Sequence, residues 1–426
     1  MSNTKKNKQK EWICPSCGRS NPPAANFCGS CGTARASEII RKSDSHKNPL
    51  PLILAFVLLI AAGILLVSAF VGEKPTSSGM EVNVKPSTKE IADVIPFPVD
   101  YGEGLALIAL YTDGTVRTNG LEKNFDSTTM QRIESWSNIK QIVCYQYGIV
   151  GLKTDGSVVF EGQSLNNPCD PAVWKNVREL YSNYLEFYGL TKDGRVLVPA
   201  GSEQSDFEGA VEDYLAWRDI VDLCPYSYPE SRGVIGIKSD GSICAPGTFG
   251  VVYFPEKLKD VKQLSSSGYL TACLRKDGTV KTVGMYASML PQEKMQNVEQ
   301  VVAREYGVVC RMKDGSVKYL LCGYGSENEA DIATRMEKWQ DVVDAQTAGP
   351  FVFGLTRSGK ILTAEANKYY EEYFNAAQLA AIRRESSEWK NIVKIKAWQC
   401  YGQVYLLGWQ RNGDIVAAGI DLTWTS

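Results

Sequence analysis

The sequence predicts a mainly β fold, a β-propeller of seven or eight blades, with a small N-terminal zinc ribbon and one transmembrane helix ahead of it. Three observations lead there. A hairpin unit centred on Asp-Gly or a close variant recurs eight times after residue 90. A Trp-x-Asn/Asp-Ile/Val motif, or a weaker copy of it, precedes each hairpin. The first ninety residues hold two Cys-x-x-Cys-Gly knuckles and a run of 22 uncharged, mainly apolar residues. Turn-to-turn spacing runs from 37 to 54 residues. Units of that size cannot bury both faces of a small sheet alone, so neighbours must cover them by radial stacking.

Residues 1–11 read as a disordered basic tail. Residues 12–34 carry Cys14, Cys17, Cys28 and Cys31, each pair followed by Gly. Each knuckle grips one side of a tetrahedral ion, and the Gly allows the tight turn that aims backbone N–H groups at sulfur. A complete Cys₄ set leaves no position open for water, which points to a structural Zn²⁺; iron or a dithiol redox pair are the alternatives. The ribbon lacks the aromatic and basic surface that nucleic-acid binding requires.

Residues 35–48 are a polar linker holding His46, the one histidine of the chain. Residues 49–72 carry no charge, and the 22 residues from Leu50 to Val71 would span about 33 Å as a helix, enough to cross a bilayer core of about 30 Å. A signal peptide ending near Val67-Ser-Ala69 is the rival reading, but the apolar run is long and a metal knuckle stands before it. Arg41, Lys42 and Lys47 precede the span and Glu73, Lys74 and Glu81 follow it. The positive-inside rule therefore places the N-terminus in the cytoplasm and the repeats outside the plasma membrane. Residues 73–90 read as a flexible stalk and 91–426 as the propeller.

The repeat turns are Asp113-Gly114, Asp155-Gly156, Asp193-Gly194, Asp240-Gly241, Asp277-Gly278, Asp314-Gly315, Ser358-Gly359 and Asn412-Gly413. Such pairs suit the two positive-φ positions of a type I′ turn. Four residues before each turn stands a small residue: Ala109, Gly151, Gly189, Gly236, Cys273, Cys310, Gly354 or Gly408. That column predicts close approach of a bulky group. Three residues after each turn stands Val or Ile, as at Val158 and Ile361, which suits a buried pleated position. The preceding motif is full at Trp136, Trp174, Trp217, Trp339 and Trp389. It is weaker at Ile91-Ala-Asp-Val94, Leu258 and Met295. Its Trp reads as a wedge between units and its Asn/Asp as a turn residue. Residues 202–216, 326–339 and 366–385 read as helical insertions, the last with Tyr370, Tyr373, Phe374, Ala377 and Ala381 on one side. They form either a recognition rim or a substitute for outermost strands.

Together these columns resemble the repeat of the regulator-of-chromosome-condensation family, Gly-x-x-His-Thr-x-Ala-Leu-x-x-Asp-Gly-x-Val. Leu110, Leu152, Leu190, Leu274 and Leu355 match its Leu. The resemblance covers about residues 91–426 and implies a seven-bladed propeller, against eight units here. The family's His column is missing throughout, and so is the Trp before the closing Gly, as at Asn119-Gly120. The resemblance therefore implies the architecture and not the family's nucleotide-exchange or chromatin functions.

No catalytic or cofactor-binding residues are assigned. The only His lies in a linker, which removes His-based triads, and there is no phosphate loop. Cys273 and Cys310 read as buried small hydrophobes; Cys144, Cys224 and Cys400 fall on the strand after the Trp motif, and Cys169 stays open to pairing. Most of the 21 Tyr, such as Tyr145, Tyr147, Tyr181 and Tyr184, read as packing residues. The expectation is a non-enzymatic, membrane-anchored binding or scaffold module for a protein or cell-surface polymer, with no nucleic-acid partner. One alternative is a transmembrane sensor with a ribbon-bound cytoplasmic partner. The other is a propeller hydrolase, which needs two carboxylates about 5–10 Å apart.

Overall fold

The structure is a computed structural model. It describes residues 12–13, 20–21, 90–99, 104–162, 173–183, 185–199, 208–227, 232–246, 258–267, 270–284, 287–290, 295–322, 329–366, 373–400, 402–420 and 422. The chain divides into two units, and the second, Ala34–Thr88, falls outside the described residues, so the predicted membrane span at 49–72 does too. Among the described residues no helix is long and apolar enough to cross a membrane.

The repeats form eight three-stranded antiparallel sheets, each continuous in sequence. Blade 1 runs Ile91–Val99, Gly104–Tyr111 and Val116–Asn119. Blade 2 is Ile139–Tyr145, Gly148–Lys153 and Val158–Gly162; blade 3 is Val177–Ser182, Phe187–Thr191 and Val196–Leu197. Blade 4 is Ile220–Ser227, Arg232–Lys238 and Ile243–Cys244; blade 5 is Val261–Ser266, Leu270–Arg275 and Val280–Gly284. Blade 6 is Val298–Arg304, Gly307–Met312 and Val317–Leu321; blade 7 is Val342–Ala348, Phe351–Thr356 and Ile361–Glu365. Blade 8 is Ile392–Cys400, Gln403–Gln410 and Ile415–Ala418. First strands of successive blades touch one another and so surround the axis.

The ring closes at eight. Val94 and Leu107 of blade 1 pack on Leu407 and Trp409 of blade 8, and the Trp409 indole donates to Ile91 O at 2.9 Å. No strand is exchanged between these two sheets, and among the described residues the seam is sealed by side-chain contacts.

The hairpin turns differ from the expected type I′. The turn Asp residues keep ordinary φ, and only the Gly is left-handed, as at Gly156 with φ 88°. The Gly156 amide bonds Lys153 O and the Lys153 amide bonds Ser157 O. This is a three-residue loop, a type I turn closed by a left-handed Gly. In five of the eight turns a Ser or Thr two residues on braces it. Asp155 Oδ1 accepts from both the amide and the hydroxyl of Ser157, at 2.8 and 2.7 Å, which keeps Asp155 out of the left-handed region. Asp113 with Thr115, Asp240 with Ser242, Asp277 with Thr279 and Asp314 with Ser316 do the same.

These contacts hold the carboxyls of Asp155, Asp240, Asp277 and Asp314 below their ordinary range, the hydroxyl bond being the main cause in each. A depressed folded value means the unfolded chain binds more protons as acid is added. The stabilisation is therefore present above the unfolded value of about 4 and is lost as pH falls through the folded value. We expect the melting temperature to fall between about pH 5 and about pH 3, and to fall less when these four are replaced by Asn, which keeps the acceptor without the charge. A melting series across that range checks it.

The left-handed non-Gly residues sit elsewhere, at Asn138, Asn176, Asp219, Asp260, Asn297, Asp341 and Asn391, the Asn/Asp of the motif, with φ between 57° and 61°. Asn and Asp tolerate this conformation better than other side chains. Asn138 O accepts the Thr154 amide of its own hairpin, while the next amide, Ile139, bonds Gly114 O of the previous blade. The motif thus ties each hairpin turn to its neighbour. In blade 1 the alignment at Ile91-Ala-Asp-Val94 is three residues off. Ile91 pairs with Tyr111 as Ile139 pairs with Lys153, so Ile91 holds the Ile139 place and Glu90 the Asn138 place.

Every first strand also bulges at its second residue, where the register shifts by one. The bulge residues are Ala92, Lys140, Arg178, Val221, Lys262, Glu299, Val343 and Val393.

The Trp wedge stands as expected. A Cβ placed on Gly151, Gly189, Gly236, Gly354 or Gly408 would lie 2.8–3.1 Å from Trp136, Trp174, Trp217, Trp339 or Trp389 respectively. Where the wedge is the smaller Leu258 or Met295, the facing residue is the larger Cys273 or Cys310. Wedge and column vary together to keep the volume filled.

Among the described residues four α-helices follow third strands: α1 (Ser127–Glu134), α2 (Glu208–Ala216), α3 (Ala330–Met336) and α4 (Ala376–Ser387). All pack on outer strands, which favours their reading as covers for sheet edges. The sequence reading missed α1, whose signal is the cap: Asp126 accepts the Thr129 amide at 2.7 Å. In α4 the buried face is Leu379, Ile382 and Ser386 rather than Ala377 and Ala381. Ala377 and Ala381 still share one side, but the helix turns its larger Leu379 and Ile382 into the core instead.

Candidate functional site

The predicted metal ligands Cys14, Cys17, Cys28 and Cys31 lie outside the described residues. The flanking strands do not. Trp12–Ile13 pairs antiparallel with Ser20–Asn21. Among the described residues no other cluster of His, Cys, Asp or Glu has the make-up of a metal site.

Within the propeller the axis is the candidate site. A cavity of about 330 Å³ lies against the first strands of blades 8, 1, 2 and 3. It is lined by Ile95, Pro96, Pro98, Ile142, Val143, Cys144, Tyr145, Ser182, Lys396, Trp398, Gln399 and Cys400. No carboxylate is in that lining.

The sequence reading missed what organises this region. The third residue of every first strand is polar: Asp93, Gln141, Glu179, Asp222, Gln263, Gln300, Asp344 and Lys394. A first strand has a neighbour on one edge only, so its other edge offers unpaired backbone groups. Glutamines satisfy them from the preceding blade. Gln141 donates to Leu180 O at 2.7 Å and accepts the Leu180 amide at 2.9 Å. Gln263 does this at Val301 and Gln300 at Ala345. Gln346 donates to Ile395 O and accepts from the Ala397 amide, both at 2.9 Å.

The closing seam departs from this scheme. Pro96 stands where Ala397 stands in blade 8 and has no N–H to satisfy. The residue facing it from blade 8 is Lys396, which has donors only. Lys396 Nζ donates to Val94 O at 2.9 Å and to both Asp93 carboxylate oxygens at 3.0 Å. An amide would leave its acceptor oxygen idle there, and an ammonium has none.

The cavity thiols are not poised for reaction. Burial pushes the Cys144 thiol up strongly and the Cys400 thiol up to about 11. Cys273 and Cys310 are buried as expected, and burial pushes each up to about 12. Cys144, Cys224, Cys244, Cys273, Cys310, Cys322 and Cys400 are all free, while Cys169 lies outside the described residues. Tyr145 is buried among Tyr147, Phe160 and Phe187, and Tyr181 donates to Asp222 at 2.8 Å, so these tyrosines pack as expected; Tyr184 lies outside the described residues.

A second strong polar feature is buried between blades 6 and 7. Arg304 pairs with Glu329, the residue before α3, at 2.7 Å. Its guanidinium also donates to Tyr319 Oη at 3.1 Å and to Phe351 O at 3.0 Å. Every contact is within the fold, which makes this a structural pin.

The chain matches no protein-family model and no curated protein. It is similar in structure to the CRINKLY WD40 ectodomain of the Arabidopsis thaliana receptor kinase ACR4, at 12% identity, 78% and 96% coverage of this and that chain, and TM-score 0.41. It is also similar to yeast RCC1 (Prp20) bound by Kap60, at 11% identity, 82% and 85% coverage and TM-score 0.36. A third is YCF48 bound to D1 peptide, at 11% identity, 65% and 90% coverage and TM-score 0.30. The propeller assignment stands on the eight sheets and their closure rather than on these likenesses.

Proposed function

We propose that the protein is a membrane-anchored propeller displaying a binding surface outside the cell, with a structural zinc ribbon at its cytoplasmic end. The observation that carries this reading is the axial cavity: aromatic and proline-rich, about 330 Å³, and without a carboxylate in its lining. Ligand sites of this size are apolar clefts with few polar groups, whereas glycoside hydrolysis needs a pair of acids. The nearest acid on the seam, Asp93, is committed to Lys396. Gln141 holds blade 2 to blade 3 and Lys396 holds blade 8 to blade 1, so two of the joints around the cavity are bridged by side chains. An outward position also fits the free thiols, since burial and a raised thiol pKa protect cysteines such as Cys273 and Cys310 from oxidation. Cys14, Cys17, Cys28 and Cys31 would hold the zinc, which would supply folding energy to a segment too short for its own core.

Protease and membrane-impermeant thiol reagents applied to intact cells carrying the full chain test the arrangement. We expect the propeller to be cut while the Cys₄ segment stays unlabelled. A shielded propeller with an exposed ribbon would reverse the orientation. Metal analysis of the purified full chain, with and without Cys14→Ser, tests the ribbon separately.

A further inference from the structure

We propose that the collar of bulge residues at the turn-side mouth of the channel binds a short acidic peptide segment carrying aliphatic side chains. This rests on the binding-platform reading and names the class of partner.

A bulge leaves one residue out of the ladder and re-aims its side chain. Repeated at the same place in eight adjoining first strands, it rings one end of the axis with side chains that the sheets do not use. Two of the three basic members of that ring, Lys140 and Arg178, donate to carbonyls rather than to acids. Lys140 Nζ donates to Arg178 O at 2.9 Å, and the Arg178 guanidinium donates to Val221 O. Arg178 Nε is buried without a partner. Lys394, one residue past its bulge, donates to Ala92 O at 3.1 Å and lies 3.8 Å from Asp93, which Lys396 already holds at 3.0 Å. Lys262 alone is paired closely, with Glu299 at 2.7 Å.

Counting bulge and following residues alike, the arc from blade 8 through blade 3 holds Lys394, Lys140 and Arg178 against Asp93 and Glu179, a net of one positive charge. The first 48 residues hold nine Lys/Arg and three Asp/Glu, a net of +6, so the chain after them carries −8 of the overall −2. Within that acidic remainder the arc is a local exception. Guanidinium and carboxylate geometries match in parallel pairs, so a side-chain carboxylate suits Arg178. The collar also exposes Val221 (42%) and Val393 (52%), which gives it aliphatic as well as cationic ground. Base stacking needs aromatic platforms, and no bulge residue is aromatic. A peptide with alternating acidic and aliphatic residues uses both features.

The test is fluorescence anisotropy with the full chain in detergent. The probes are a labelled Glu-Leu-Glu-Val-Glu-Leu peptide, its Lys-for-Glu counterpart, a single-stranded deoxyoligonucleotide and inorganic phosphate as competitor. Lys140→Gln and Arg178→Gln keep a donor for each carbonyl while removing charge, so the fold is retained; melting temperatures check this. We expect the acidic peptide to bind, to weaken as salt rises, and to lose about tenfold in affinity in the double variant. Val221→Ser should weaken it independently. Equal binding of both peptides, no loss in the double variant, or preferential occupation by the oligonucleotide or phosphate would each overturn the proposal. Photo-crosslinking of the full chain in cells separates the two levels. A partner captured equally by wild type and double variant sinks the collar and leaves the platform standing, whereas no captured partner sinks the platform itself.

Discussion

Trp174→Ala is expected to lower stability by about 3–5 kcal/mol, the usual cost of removing a buried large aromatic. Trp174 is 1% exposed, lies against the Gly189 backbone and packs on Phe187 at a ring separation of 5.5 Å. The cavity would open between blades 2 and 3, where Val158, Leu180 and Leu197 share the cluster. The converse substitution should also fail, since a Cβ on Gly189 would meet the Trp174 ring at 2.9 Å. The decisive variant combines Trp174→Leu with Gly189→Cys, reproducing the native Leu258 and Cys273 arrangement. It should be more stable than the sum of its single changes by more than about 0.5 kcal/mol, beyond ordinary additivity error. Urea unfolding of the four proteins gives the cycle. Simple additivity would show that wedge and column are not one packing unit.

Breaking the Arg304–Glu329 pair is the second large effect. The two side chains are 6% and 1% exposed, so removing one leaves the other charged and dry. Either Arg304→Met or Glu329→Leu should cost about 3–5 kcal/mol, while the double change should cost much less than their sum. Most of the penalty is the stranded charge, not lost attraction. The double variant still loses the contacts to Tyr319 and Phe351, so it should fall short of wild type. Urea unfolding monitored by tryptophan fluorescence measures all four. Full additivity would mean that the pair is not coupled.

Much of the propeller was legible because its signals are local and repeated. The Val or Ile three residues after the turn is buried in six of the eight copies and half-buried at Ile243 and Ile415, and Cys273 and Cys310 share a column with glycines because only a small side chain fits there. Other features were hidden by competition at short range. Asp-Gly is compatible with more than one turn, and the same loop forms at Asp193-Gly194, where Arg195 follows, as where Ser or Thr follows. In blade 1, Asp93 imitates the motif Asn/Asp, but strand register assigns that place to Glu90.

The axial region was legible only in part. Its polar third position is written in all eight first strands, yet a single polar residue in a strand looks like an ordinary solvent-facing one. Its purpose appears once the next blade brings an unpaired edge within reach.

By itself the sequence determined the hairpin unit, its wedge and small-residue columns, and their eightfold recurrence, because strand alternation, turn chemistry and residue volume act over a few positions. Tertiary structure alone decided that the ring closes at eight, that Lys396, Asp93 and Pro96 meet at its seam, and that the bulge residues gather into a collar. Those outcomes depend on curvature accumulated over more than 300 residues, which brings Lys396 and Asp93 together across 303 positions of chain.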